Sequence, residues 1–98
     1  HLAMPEASSR FRFLRLDVWQ EARVLYRQVS GLTRRFPREE AFGLTSQMRR
    51  AARSVAANLA EGSGRNSDAD FAQFVEIAYG SAMEVASDSY LALDERYI

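Results

Sequence analysis

The chain contains no cysteine, which removes disulfides, thiolate metal sites, iron–sulfur clusters and cysteine nucleophiles together. Lysine is missing too. All thirteen basic residues are arginine, so Schiff-base and Ser/Lys chemistry are closed off. The one histidine is His1, and because His1-Leu2-Ala3 precedes Met4, these three residues are expected to be a cloning remnant. No apolar run approaches the roughly 20 residues of a membrane-spanning helix, and the amino terminus lacks the basic-then-apolar order of a secretory signal. A cytoplasmic protein with no membrane partner is the expectation. Glycine and proline total only seven of 98 residues, an ordinary balance for a folded domain and not for a disordered or fibrous chain. A single domain of this length buries only about two-thirds of its unfolded surface as a monomer, so a partner subunit would help.

Net charge is zero, but its distribution is lopsided. Residues 1–53 hold eleven arginines against five acids, and residues 54–98 hold two arginines against eight acids. The two halves are electrically complementary. Either they neutralise each other within or between subunits, or the first half presents a segregated basic surface to phosphate.

Residues 1–12 carry no apolar period and are expected to form a flexible arm, leaving 13–98 as the domain. Asp17 followed by Gln20 resembles a capping box opening the first helix. Val18, Ala22, Leu25, Val29, Leu32 and Phe36 then recur at alternating spacings of four and three, a seam that fits helix packing and no strand. Pro37 is expected to end this helix. The second should open between Phe42 and Thr45 and run to Gly62, read here as a left-handed terminating glycine, with a core stripe of Leu44, Met48, Ala51, Val55 and Leu59. Its many alanines permit close approach by a neighbour. Gly62-Ser63-Gly64 is a turn; a dinucleotide fingerprint would need a preceding strand and a third glycine. Ser67 with Asp70 marks the third helix, with Phe71, Val75, Ala78, Ala82, Val85 and Leu93 as its inner face and a possible extent through Arg96. At about 1.5 Å per residue it would reach roughly 40 Å, and its apolar arc spans about half its circumference, which implies two partners. A helix so long must bend near Gly80, overhang, or be covered from outside. The fold class is all-α, an antiparallel up-down helix bundle.

The strings Asp17-Val18-Trp19-Gln20, Phe36-Pro37-Arg38-Glu39-Glu40, Phe42-Gly43-Leu44-Thr45-Ser46-Gln47-Met48, Asn58-Leu59-Ala60-Glu61-Gly62 and Leu91-Ala92-Leu93-Asp94 with Tyr97-Ile98 resemble the bacterial four-helix-bundle proteins encoded in intervening sequences of 23S ribosomal RNA genes. The resemblance covers residues 13–98. It implies an antiparallel four-helix bundle assembled as a homopentamer, in a family whose biochemical role is largely unassigned. A related branch, the accessory proteins of diversity-generating retroelements, is similar in fold, and there a basic surface engages nucleic acid and a reverse transcriptase. Two departures stand out. Family members often carry proline where this chain has Ala56, and they continue past the Tyr-Ile pair into a fourth helix. The wide apolar arc of helix 3 is what a missing fourth helix, or else a neighbouring subunit, would cover.

Catalysis has little support. A di-metal site in a bundle core needs Glu-x-x-His pairs, so no metal, cofactor, catalytic residue or small-molecule substrate is expected, and the chain reads as a non-enzyme. Glu84 and Asp88 stand one turn apart and are expected to form a solvated acidic face. Asn58 shares a polar strip with Gln47 and Ser54, and together with Glu61 these are expected to make inter-helix polar contacts that fix register. Val24, Ile77 and Leu91 are candidates for an oligomer interface. Arg23, Arg27 and Arg34 form one stripe on helix 1, and Arg49 and Arg53 lie one turn apart on helix 2; these five are the candidate nucleic-acid contacts. The aromatics follow core positions, so no stacking platform is expected and binding should be directed at the backbone. The resulting expectation is a homo-oligomeric adaptor that meets RNA, DNA or a ribonucleoprotein. The alternative is a scaffold or protein-partner adaptor that binds no nucleic acid.

Overall fold

Three helices follow from the apolar seams: α1 (Asp17–Thr33), α2 (Leu44–Ser63) and α3 (Asp68–Asp94). They are seen in a computed structural model that describes residues 11–98. The expected cloning remnant and most of the expected arm lie outside the described residues. Phe11 and Arg12 do not continue an arm; Arg12 opens a 3-10 turn, Arg12–Arg15, that leads into α1. The turn is held by packing rather than by local propensity. The Phe13 ring lies 4.9 Å from that of Trp19, and the Arg12 guanidinium sits 5.1 Å from the Phe71 ring.

Helix ends depart from the sequence reading in instructive ways. Asp17 is the first helical residue and not the cap; no side chain caps α1, and Gln20 instead donates from Nε2 to the Leu14 carbonyl at 3.0 Å. The carboxylate still complements the helix dipole. α1 stops before Pro37, at Thr33, whose hydroxyl donates to the Val29 carbonyl at 2.7 Å. Ser67 caps α3 as expected, accepting from the Asp70 amide at 3.1 Å. α3 closes at Arg96, which adopts a left-handed φ of 63° while the Tyr97 amide donates to the Ala92 carbonyl at 2.9 Å. A non-glycine residue there costs about 1–2 kcal/mol. The turn folds Tyr97 back onto Phe36, ring centres 5.4 Å apart.

Neighbouring helices run antiparallel. Thr33 at the end of α1 meets Arg49 near the start of α2, while Trp19 near the start of α1 packs beside Leu59 toward the end of α2. α3 returns along the other side, with Phe71 and Phe74 at Gly62 and Ser81 at Ser54. α1 and α3 each lie close against α2, and side chains of all three helices share the two core clusters, so α2 forms the spine of a layer 42 × 37 × 19 Å in extent. The core accordingly follows α2: Met48 and Leu59 are fully buried, with Ala52, Val55 and Ala51 between them. Small alanines there let both neighbours approach, as the sequence implied.

The inner face of α3 is narrower than expected. Ala78, Val85 and Ala92 are buried, but Val75 and Leu93 are not, because no described element covers that side. Val18 is likewise open at the start of α1. One arc of α3, comprising Val75, Tyr79, Met83, Tyr90 and Leu93, remains 39–70% exposed. α3 runs unbroken through Gly80. No helix among the described residues is long and apolar enough to cross a membrane.

Candidate nucleic-acid interface

A groove of about 420 Å³ runs between α1 and α2, lined by Trp19, Arg23, Tyr26, Arg27, Arg53 and Ala56. Helical spacing creates it. Arg23 and Arg27 are one turn apart on the flank of α1 that also carries Trp19 and Tyr26, and the antiparallel packing brings Arg53 of α2 opposite them. Ala56 supplies too little side chain to fill the space between.

Three of the five candidate arginines therefore converge. Arg34 lies two turns beyond Arg27 and does not line the groove. Arg49 is occupied otherwise: half-buried, its Nε donates to the Thr33 hydroxyl at 2.8 Å and ties the end of α1 to α2. No carboxylate lines the groove. Among the described residues the one ion pair joins Arg65 to Glu61 at 2.9 Å, so the acidic half of the chain does not neutralise this basic cluster within the described part of the subunit. Like charges held this close raise a positive potential that favours an anionic partner.

The aromatics are better placed than the sequence reading allowed. Trp19 is half-buried yet edges the groove, with the Arg23 guanidinium 5.5 Å from its ring centre, within cation–π range. Tyr26 stays 39% exposed. Their position on the shoulder of the α1 seam, beside Arg23 and Arg27, was the available signal.

The polar strip on α2 resolves into separate contacts. Only Ser54 spans two helices, accepting from the Ser81 hydroxyl of α3 at 2.8 Å. Asn58 does not cross; its Nδ2 donates to the Ser54 carbonyl at 2.8 Å and hydroxyl at 2.9 Å. Gln47 borders a small polar groove with Arg50, Ser54, Ser81 and Glu84. Glu61 faces outward and pairs with Arg65, so it makes no inter-helix contact.

Two carboxylates depart from expectation. Asp88 is not on a fully solvated face: its Oδ2 is shut away from solvent without a hydrogen-bond partner. Burial, with Glu84 one turn away, pushes its carboxyl above the ordinary value. Glu40 was missed. Its Oε1 accepts from the Leu44 amide at 2.8 Å, serving the first turn of α2, and its Oε2 accepts from the Tyr97 hydroxyl at 2.9 Å. Those two donors hold the Glu40 carboxyl below its usual range, and the same bond raises the Tyr97 phenol. A glutamate four residues ahead of a helix start was the only clue in sequence.

Val24, Ile77 and Leu91 are all exposed but do not form one patch. Val24 borders a shallow groove with Glu21, Leu25 and Gln28 on α1, whereas Ile77 and Leu91 lie on α3. The broader apolar surface is the α3 arc from Val75 to Leu93.

The family model described as 23S rRNA-intervening sequence protein matches residues 15–98. The chain belongs to this family. No curated protein matches it. The intervening-sequence match spans all three helices and therefore the whole arginine groove. The family description names no activity and no ligand. Among the described residues no cluster of three or more His, Asp or Glu side chains is placed to hold a metal ion.

Proposed function

We propose that this intervening-sequence family member is a cytoplasmic, non-enzymatic, homo-oligomeric adaptor that holds nucleic acid or a ribonucleoprotein in the α1–α2 groove. The observation that carries the reading is the convergence of Arg23, Arg27 and Arg53 on one cleft that no carboxylate lines. Guanidinium forks match phosphate oxygens, and each phosphate neutralised releases counterions, so binding weakens steeply as salt is added. Arg34 extends the basic stripe beyond the groove. Arg49 serves the fold.

Self-association belongs to the same reading. The exposed arc of α3 sets five large apolar side chains on one face, and a second subunit would cover it. The resemblance implies a pentamer, in which five copies of a weak site would act with high avidity. That arc also favours the second reading, a scaffold or protein-partner adaptor that leaves nucleic acid alone. A gel-shift titration against mixed RNA and DNA at low salt separates them. Binding that is lost in an Arg23→Gln, Arg27→Gln, Arg53→Gln variant supports the adaptor of nucleic acid; no binding by the unaltered chain favours the scaffold.

A further inference from the structure

We infer that the α1–α2 groove accepts an unpaired nucleobase, so that its ligand is a single strand and not a duplex; this rests on the nucleic-acid reading above. Bound without regard to sequence, a duplex presents phosphates along a convex edge and asks of a protein only a basic surface. This site offers more. It is an open cleft of about 420 Å³, wide enough to seat a small aromatic ligand, and two aromatic side chains line it. Trp19 and Tyr26 are seven residues apart, hence about 10.5 Å along the axis of α1, with Arg23 between them in sequence.

The Trp19 ring rests against Phe13 and the Arg23 guanidinium lies over it within cation–π range, so the guanidinium, itself a lining group, offers a planar surface to the cleft. Aromatic and guanidinium planes are the surfaces on which unpaired bases stack. Arg27 and Arg53, approaching from different helices, are left for the flanking phosphates. Apart from the Tyr26 hydroxyl and the Trp19 indole N–H, every polar lining side chain is a guanidinium donor, and no amide or carboxylate side chain lines the cleft to accept from a base edge. Recognition is therefore by stacking and charge, tolerant of sequence.

The test uses the full 98-residue chain, whose sole tryptophan, Trp19, reports directly from the groove. Labelled oligo-deoxythymidine and oligo-uridine of about 12 nucleotides, the matching dT·dA duplex, and adenosine monophosphate are titrated at about 50 mM salt. Single strands should quench Trp19 and bind about tenfold tighter than the duplex. Tyr26→Ala should weaken single-strand binding about tenfold while leaving duplex binding nearly unchanged, and Tyr26→Phe should restore it. Three results overturn the assignment while sparing the nucleic-acid reading: duplex bound as tightly as single strand, Tyr26→Ala without effect, or oligonucleotide binding that leaves Trp19 emission unaltered. Competition by adenosine monophosphate as strong as by the 12-mer reassigns the cleft to free nucleotides and overturns it as well. Failure of every nucleic acid to bind defeats both proposals.

Discussion

Replacing Gly62 by alanine sets two effects against each other. Gly62 lies inside the last turn of α2, where alanine is intrinsically favoured by about 1 kcal/mol. A Cβ built there, however, would sit 2.6 Å from the Phe74 Cβ and 2.9 Å from the Phe71 Cδ1. The Phe74 Cβ is fixed to the α3 backbone and cannot swing aside, so α3 must move away from α2 near its start. Overpacking of this kind costs about 1–3 kcal/mol, and two contacts this short place it in the upper part of that range. The net expectation is a loss of about 1–2 kcal/mol, or a fall in Tm of about 4–16 °C for a domain of this size. Gly80→Ala is the control, since no atom lies within 4 Å of its would-be Cβ in the middle of α3. It should gain about 1 kcal/mol and raise Tm by about 4–8 °C. Both are read by circular-dichroism melting at matched protein concentration, because the proposed self-association would make Tm concentration-dependent. If Gly62→Ala melts with or above the unaltered chain, the close α2–α3 contact is wrong.

Ser54→Ala removes the oxygen that accepts from both Asn58 and Ser81 and should cost about 1 kcal/mol; an unchanged urea midpoint would dismiss that relay as a stabilising element. Glu40→Gln should lower Tm at neutral pH and converge with the unaltered chain in acid. The folded-state carboxyl lies below its ordinary value near 4.5, so its contribution is complete above that value and is lost as the pH falls through the lower folded value. A Tm gap that is the same at every pH would contradict this. Asp88→Asn should act with the opposite sign. Its folded-state carboxyl lies above the ordinary 3.8, so ionisation penalises the fold at neutral pH and protonation relieves the penalty as the pH falls through the folded value. The variant should be the more stable at pH 7, with the difference shrinking in acid; a less stable variant at pH 7 would refute it.

The seams of α1 and α2 were legible because a repeat of four and three has one physical meaning, and Ala22, Val29, Met48, Val55 and Leu59 are buried accordingly. Long-range facts were not. Gly62 was taken for a left-handed cap, yet it is helical and conserves space for Phe71 and Phe74; a glycine near a helix end looks the same in sequence for either reason. Val75 and Leu93 share the apolar arc of α3 with Ala78, but periodicity defines a face without saying whether anything covers it. The basic stripe was legible on each helix separately. Which arginines meet depends on how α1 lies along α2, and that placed Arg53 with Arg23 and Arg27 while diverting Arg49 to Thr33. Trp19 and Tyr26 were assigned to packing alone because a residue on the shoulder of a seam can serve the core and a cleft together.

The salt dependence of oligonucleotide affinity tests the claim that the groove arginines meet phosphate. Plotted as log K against log salt for the unaltered chain and for the variant with Arg23, Arg27 and Arg53 all changed to glutamine, the slope should flatten by about two to three per groove engaged. Parallel lines for the two proteins, at whatever affinity, would show that phosphate is not held there.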